Sequence, residues 1–489
     1  MRRRGIAHIM ERKKSSCDSK AHVLAIPYPT QGHINPMLQF SKRLVSKRIK
    51  VTLAITKFIS NSINLPTESD KLPVEIDTIS DGFDEGGFLQ AKNVEDYLET
   101  LEIQGKKTLV ELIKKHQETT NPIDCILYDS FLPWCFDVAK QFGLISASFF
   151  TQPCAVNYVY YYIYKGFIKL PISSYPLSLN NIQGLPLLHR LDMPSFVAFE
   201  GSFPAYFELV LNQFLNAEKA DFLLVNSFYK LEEQVVDSMS KVCPILPIGP
   251  TLPSFYLDKR VENDKDYGLN LFGSSPNDAS IISTRTTITN WLNNKPKSSV
   301  IYVSFGSLAC LQEKQIQEIA LALKETKYYF IWVVRTLEEE SKLPKDFVQE
   351  IIKSQKGLLV RWSCQIEVLS NDSIGCFLSH CGWNSSIEAL SFGVPIIGMP
   401  QWSDQLMNAK LIEDVWKVGI RLKLVVDDDG ELGFVCREEI EDCIKQVMEG
   451  EKGKEMKRNA LKWKDLAKEA ISEGGTSDRS IDEFISIFK

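Results

Sequence analysis

Several polar residues lie together where an apolar strand would lead into a helix. Residues 374–378 form a run typical of a buried strand, and a helix is predicted to open near Trp383. The loop between them and the first helical turn contain His380, Gly382, Asn384 and Ser385. A helix start offers unpaired N–H groups and the positive end of the helix dipole. The pattern therefore predicts a phosphate-binding site that requires no metal.

A histidine and an aspartate follow the ends of two other predicted strands. The apolar run 22–26 leads to His33, and the run 125–128 ends at Asp129. Ligands of doubly wound α/β sheets bind at the carboxyl ends of the strands, so this fold can bring both side chains to one rim. On spacing alone, a satisfied surface or core histidine is an equally good interpretation of His33.

The 44 residues from Trp362 to Gln405 resemble the donor-binding box of plant family 1 UDP-sugar-dependent glycosyltransferases nearly along their whole length. The matching positions are Trp362, Gln365, His380, Gly382, Trp383, Asn384, Ser385, Glu388, Asp404 and Gln405. One position departs from the family pattern, because Ser363 and Cys364 replace a Cys followed by Ser or Pro. Ser363 stands where the family's main chain touches uracil, so the exchange is expected to alter packing more than recognition.

The resemblance implies a role for each matching side chain. Trp362 would stack on uracil, while Gln365 and Glu388 would bind the ribose. Without the resemblance, Trp362 reads as a core residue and Glu388 as an exposed helical one. The diphosphate would be held by the helix start and by His380, Asn384, Ser385 and Ser307. Asp404 and Gln405 would hold the sugar hydroxyls, and Gln405 favours glucose over galactose.

The segments Gly32-His33-Ile34-Asn35-Pro36 and Tyr128-Asp129-Ser130-Phe131 resemble the family's catalytic histidine loop and its partner aspartate. A histidine with an ordinary pKa of about 6.5 can take the proton of an acceptor hydroxyl at neutral pH. Asp129 would fix its tautomer and stabilise the imidazolium. A carboxylic acid acceptor is already ionised and would need His33 less.

The family resemblance also implies the fold and the reaction. The expected architecture is α/β with the GT-B fold, in which two Rossmann-like domains face a central cleft. The expected reaction is inverting transfer of glucose from UDP-glucose to a hydroxyl or carboxyl group of an apolar small molecule, without a metal or other cofactor. Residues 27–44, 81–87 and 128–139 resemble the group that glucosylates carboxylic acids, thiohydroximates and terpenoid or steroid aglycones. A UDP-sugar-binding protein without catalysis is the alternative.

The acceptor pocket is predicted from aromatic residues. Its candidate residues are Trp134, Phe150 and Trp402. The tyrosine-rich run 151–164 is either a further wall of this pocket or ordinary core packing.

The 489-residue chain divides into five predicted segments. They are a disordered tail (1–20), an acceptor-binding domain (21–250), a polar and mobile linker (251–297), a donor-binding domain (298–468) and a C-terminal helix that packs back on the first domain (469–489). The first helix is predicted to begin with Asn35 as N-cap and Pro36 in the first turn. The tail helix is preceded by a helix predicted over 454–468.

Composition and missing motifs exclude several classes of protein. A formal charge of −6 argues against a nucleic-acid partner, and no apolar run is long enough for a membrane anchor. Eleven cysteines without paired spacing indicate a reducing compartment, so a cytoplasmic location is expected. The protein is also expected to be a monomer. The chain lacks a GxSxG elbow, a GxGxxG loop and a Walker A loop. The acidic run 427–429 is interpreted as a solvated turn rather than a metal site.

Overall fold

A computed structural model describes residues 21–63, 73–173, 176–177, 183–268, 285–307, 309–423 and 433–488. The predicted tail 1–20, residues 273–284 of the linker and the acidic run 427–429 lie outside these residues.

The first sheet contains seven parallel strands in the spatial order β3-β2-β1-β4-β5-β6-β7. Their bounds are β1 His22–Ile26, β2 Lys50–Thr56, β3 Glu75–Ile79, β4 Cys125–Asp129, β5 Ile145–Phe150, β6 Phe222–Val225 and β7 Leu246–Pro247. The central strands are buried along their whole length because helices cover both faces of the sheet.

The second sheet contains six parallel strands in the order β10-β9-β8-β11-β12-β13. Their bounds are β8 Val300–Ser304, β9 Tyr329–Val333, β10 Gly357–Val360, β11 Ile374–Ser379, β12 Ile396–Gly398 and β13 Gly419–Arg421. The two sheets share the doubly wound pattern in which the strand order reverses beside the first strand.

Helices connect the strands along the chain. In the first half they are α1 Gln31–Ser46, α2 Lys57–Ser62, α3 Val94–Gln117, α4 Trp134–Gln141, α5 Cys154–Tyr164, α6 Ser195–Ala198, α7 Pro204–Asn212 and α8 Glu233–Ser240. In the second half they are α9 Arg285–Asn293, α10 Glu313–Glu325, α11 Leu337–Ser341, α12 Phe347–Ser354, α13 Gln365–Leu369, α14 Trp383–Phe392, α15 Gln405–Lys410, α16 Arg437–Met448, α17 Gly450–Ile471 and α18 Thr476–Ser486. Helix α9 lies near the end of the predicted linker, so this part of the linker is helical.

The switch point of each sheet lies beside the predicted site. In the first sheet β1 pairs with β4, so the segments after these strands, which carry His33 and Asp129, are neighbours. In the second sheet β8 pairs with β11, which brings the turn at Ser307 next to His380. Strand pairing thus explains why side chains far apart in sequence meet at one edge.

The start of α1 differs from the prediction. The helix begins at Gln31 with Thr30 as N-cap, so Pro36 lies inside it rather than in the first turn. Proline has no N–H to offer the carbonyl four residues earlier, which belongs to Gly32. Asn384 of α14 supplies the missing donor, with its Nδ2 2.7 Å from the Gly32 oxygen. A contact from the other half of the molecule therefore offsets the cost of proline in the helix.

The C-terminal helices tie the two halves together. The predicted helix 454–468 is longer in the structure, where α17 packs against α14. Helix α18 follows it and packs against β7 of the first sheet. Its Ser477 Oγ donates to the carbonyl of Gly249 over 2.6 Å. Within the described residues, none of these helices combines the length and the apolar character needed to cross a bilayer.

Residues 254–268, here called the strap, lie along α1. Lys42 of α1 donates to Asp264 of the strap over 3.0 Å, and the side chain of each is only 5% exposed. Arg43 binds both carboxylate oxygens of Asp258 at 2.8 and 3.0 Å. Buried ion pairs of this kind fix the path of a chain segment more than they add stability.

We expect Lys42→Met to lower the free energy of unfolding by about 3 kcal/mol, because Asp264 would keep a buried charge without its partner. The matched control is Lys106→Met, since Lys106 and Glu102 form an exposed pair on α3. Its cost should stay below about 1 kcal/mol. Urea denaturation followed by circular dichroism measures both, and similar losses in the two variants would contradict the expectation.

Candidate active site

His33 and Asp129 form a hydrogen-bonded pair at the rim of the first sheet. His33 lies in the first turn of α1, and its Nδ1 is 2.7 Å from Asp129 Oδ2. The carboxylate is fully buried, and its Oδ1 accepts from the N–H of Phe131 over 3.0 Å. A carboxylate only accepts, so Nδ1 must carry the proton. The lone pair of Nε2 is thereby left to take a proton from a ligand.

Aromatic rings surround the imidazole. The ring centres of Tyr28 and Phe131 are 5.3 and 4.9 Å from that of His33. Burial raises the pKa of Tyr28, and the nearby phenol of Tyr206 raises it further. Tyr206 packs against the hydrophobic cluster that contains Tyr28, and it also belongs to a second group of rings.

That second group is an aromatic cluster of Phe196, Phe203, Tyr206 and Trp402. The indole of Trp402, which follows β12, has its centre 5.4 Å from Tyr206, 6.0 Å from Phe196 and 6.1 Å from Phe203. The Phe203 side chain is 44% exposed, so the cluster reaches the surface. Sequence reasoning named Trp402 and missed the other three, although the aromatic-rich segment 196–207 was a usable signal.

The other two predicted pocket residues belong to the hydrophobic core. Trp134 is 5% exposed and lies against α3, where a Cβ on Gly105 would be 2.7 Å from its ring. Phe150 is 1% exposed and stacks on Phe214. Most of the tyrosine-rich helix α5 is buried as well.

At the second sheet, the imidazole of His380 lies between two glycines. A Cβ on Gly306 would be 2.7 Å from its Nε2, and one on Gly382 would be 2.5 Å away. Both positions therefore need glycine for the ring to stay in place. Burial, with a smaller effect of Arg335, lowers the pKa of His380 to about 4, so the ring is neutral. Its Nδ1 has no partner among the described residues.

Helix α14 opens directly beside His380, with Gly382 as N-cap. The N–H groups of its first turn have no acceptor within the helix, as at any helix start. Asn384 Nδ2 donates to the carbonyl of Gly32, and Asn384 Oδ1 is buried without a partner in the described part of the chain. The side chain of Trp383 faces away from this site, because its Nε1 donates to the carbonyl of Asn226 over 2.6 Å.

A hydrogen-bond network links the remaining donor-box residues. Gln365 Nε2 donates to Ser385 Oγ over 2.8 Å and to Glu388 Oε2 over 2.7 Å. Ser363, at the exchanged position, hydrogen-bonds to the Tyr302 hydroxyl at 2.9 Å. Burial raises the pKa of Glu388 to about 7, although the bond from Gln365 opposes the shift. Trp362 is half-buried beside this network.

Asp404 and Gln405 lie at the start of α15. Burial raises the pKa of Asp404 to about 6, and its Oδ2 accepts from Asn408 over 2.6 Å. Gln405 Oε1 accepts from the N–H groups of Gln401 and Trp402 at 2.8 and 3.1 Å. The carbonyl end of Gln405 is thus held by the protein, and its amide nitrogen is the end that can meet a ligand.

Two further observations complete the site. Ser307 is exposed in the turn after β8, on the side of the cleft where His380 lies. In the ranges that the structure describes, no three His, Cys, Asp or Glu residues converge as metal ligands would.

Comparison with known proteins identifies the family. The family model described as "UDP-glucoronosyl and UDP-glucosyl transferase" matches residues 284–470. UDP-glycosyltransferase 74F2 of Arabidopsis thaliana is 53% identical over 96% of this chain and 98% of its own length. Flavonol 7-O-beta-glucosyltransferase UGT74F1 of the same plant is 52% identical with the same coverage.

The fold comparison agrees with the sequence comparison. Os79 from O. sativa, solved in complex with UDP, superposes with a TM-score of 0.87 at 37% identity, covering 96% of this chain and all of that one. The predicted GT-B architecture and the family resemblance are both confirmed. The chain belongs to the plant family 1 UDP-glycosyltransferases.

Proposed function

We propose that the protein transfers glucose from UDP-glucose, with inversion, to a hydroxyl or carboxyl group of an apolar small molecule. The product is a β-glucoside or a glucose ester. The observation that carries this proposal is the 2.7 Å bond from Asn384 to the Gly32 carbonyl. Gly32 directly precedes His33. The bond therefore holds the start of α14, where a diphosphate fits, next to the His33 loop.

The donor is held by the residues of the second domain. The ribose hydroxyls donate to Glu388, and uracil stacks on Trp362. The diphosphate lies at the start of α14, where His380, Ser385 and Ser307 add neutral donors. Gln405 and Asp404 hold the glucose hydroxyls. Each of these groups acts without a metal ion.

The reaction is a single displacement. His33 Nε2 takes the acceptor proton as the acceptor oxygen bonds to the anomeric carbon, and the bond from that carbon to the phosphate oxygen breaks. Attack from the face opposite UDP inverts the α-linked sugar. Charge grows on the leaving phosphate, and the N–H groups of α14 are already oriented to stabilise it. The buried Asp129 stabilises the imidazolium that forms.

The aromatic cluster supports an apolar acceptor. Its rings extend from Tyr206, which packs against the hydrophobic cluster that contains Tyr28, to Trp402 of the second domain. Flat apolar molecules bind such surfaces through stacking and burial. Relatives point the same way, since one is a flavonol glucosyltransferase and Os79 has been solved with a trichothecene.

We expect His33→Ala to lower kcat/KM with a phenolic acceptor by about a hundredfold to ten thousandfold, because the general base is lost. A carboxylic acid acceptor should lose less, since it carries no proton to remove. Asp129→Asn should follow the same pattern. UDP release measured with both acceptor classes tests this, and equal losses on both would contradict it.

The control for the His33–Asp129 pair comes from the same domain. His116 and Asp77 form a second His–Asp pair, with 3.4 Å between Nε2 and Oδ2. His116 contacts His22 at the start of β1, at the edge of the sheet opposite the cleft. His116→Ala and Asp77→Asn should therefore leave kcat/KM unchanged. A protein that binds UDP-glucose but releases no UDP with any acceptor would instead be a binding protein without catalysis.

Donor binding should weaken as the pH falls through the pKa of Glu388, which burial raises to about 7. The ionised carboxylate accepts from the ribose hydroxyls, and the protonated form loses this capacity. We expect the Kd for UDP-glucose to rise about tenfold between about pH 8 and pH 6. Calorimetry measures it, and UDP-glucose is preferred to UDP because its phosphates do not titrate in this range.

Glu388→Gln separates this effect from that of Asp404, whose pKa burial raises to about 6. The variant should bind UDP-glucose more weakly than the wild type at high pH. Its Kd should then change only as the pH falls through the pKa of Asp404. A wild-type Kd that stays constant across the range would contradict the role of Glu388.

A further inference from the structure

We infer that Ser195 is a positioning residue of the donor site, which holds the turn that carries Asp404 and Gln405. Ser195 is the first residue of α6, in the first half of the chain. The turn consists of residues 401–405 and follows β12 in the second half. The inference rests on the proposed assignment of Asp404 and Gln405 to the glucose hydroxyls.

Ser195 makes two hydrogen bonds to a single residue of this turn. The N–H of Ser195 donates to the carbonyl of Ser403 over 2.8 Å. The N–H of Ser403 donates in return to Ser195 Oγ over 2.6 Å. Ser195 is 2% exposed, and a buried polar group that loses its partner is costly. The two bonds therefore hold Ser403 in one position.

The rest of the turn is closed by Gln405. Its Oε1 accepts from the N–H groups of Gln401 and Trp402, and its own N–H donates to the Trp402 carbonyl over 3.2 Å. The N–H and the carbonyl of Ser403 are satisfied from outside the turn, by Ser195. Gln405 thus fixes the shape of the turn, and Ser195 fixes its position against the first half of the chain.

Ser403 also has a backbone conformation that needs support. Its φ is +58°, in the left-handed region that residues other than glycine adopt at a cost. The two bonds from Ser195 offset this cost. Because Asp404 and Gln405 follow directly, the backbone at Ser403 determines where their side chains begin.

The segment that carries Ser195 is anchored independently of the turn. Asp192, three residues earlier, is 2% exposed. Its Oδ1 accepts from Arg421 Nη1 over 2.6 Å, and its Oδ2 is 3.3 Å from Lys410 Nζ. Arg421 lies in β13, and Lys410 ends α15, the helix that begins at Gln405. These ion pairs fix the segment relative to α15, so Ser195 can support the turn.

The test separates the sugar from the rest of the donor. Ser195→Ala removes the acceptor of the Ser403 N–H, and calorimetry measures the Kd for UDP-glucose and for UDP. We expect the variant to bind UDP-glucose about five- to tenfold more weakly than the wild type, which corresponds to the loss of one buried hydrogen bond. The Kd for UDP should be unchanged, because UDP has no sugar for Asp404 and Gln405 to hold.

Ser477→Ala is the matched control. Ser477 is fully buried, and its hydroxyl also joins distant parts of the chain through the bond to the Gly249 carbonyl. This variant should leave both Kd values unchanged. Equal weakening for UDP and UDP-glucose in Ser195→Ala would indicate a general structural role and overturn the inference. An unchanged Kd for UDP-glucose would overturn it as well.

Gln405→Ala distinguishes failure of the inference from failure of the proposed function. If this variant binds UDP-glucose more weakly and Ser195→Ala does not, the assignment of Gln405 to glucose stands and the role of Ser195 is wrong. If Gln405→Ala binds UDP-glucose as the wild type does, the assignment to glucose fails, and the inference with it.

Discussion

The cleft depends on a carbonyl that its own helix cannot satisfy. Pro36 has no N–H for the Gly32 oxygen, and a buried acceptor without a partner costs about 1–3 kcal/mol. Asn384 satisfies it from the first turn of α14. An acceptor of one domain is thus satisfied by a donor of the other, at the point where the proposed base and the proposed phosphate site meet. Trp383, from the same turn, adds a second such bond to Asn226.

Burial moves the ionisable groups of the donor site toward their neutral forms. It lowers the pKa of His380 to about 4 and raises those of Glu388 and Asp404 to about 7 and 6. In the proposed complex, dipoles of the N–H groups and of the neutral imidazole would therefore face the diphosphate in place of full charges. Such dipoles are oriented before the reaction, so the proposed transfer would need little reorganisation as charge develops on UDP.

Local patterns predicted the elements better than the contacts between them. The expected apolar run 22–26 coincides with β1, and the runs 125–128 and 374–378 each end one residue before β4 and β11 do, since buried parallel strands have a simple signature. The start of α1 was misplaced because the preference for proline in the first turn is a local rule, and here a distant asparagine overrides it. The rings at 196, 203 and 206 were missed for a related reason. The aromatic segment is visible in the sequence, but its partner Trp402 lies far away, and one chain gives no signal for that pairing.

The aromatic cluster is built from residues of both domains, and this affects how acceptor selectivity can evolve. Three of its rings belong to the first domain, but Trp402 follows β12 in the second. A chimera that exchanges only the first domain between relatives would combine three rings from one protein with the fourth from another. If the cluster binds the acceptor as proposed, selectivity is a property of the matched pair of domains, and recombination at the linker would separate residues that must vary together.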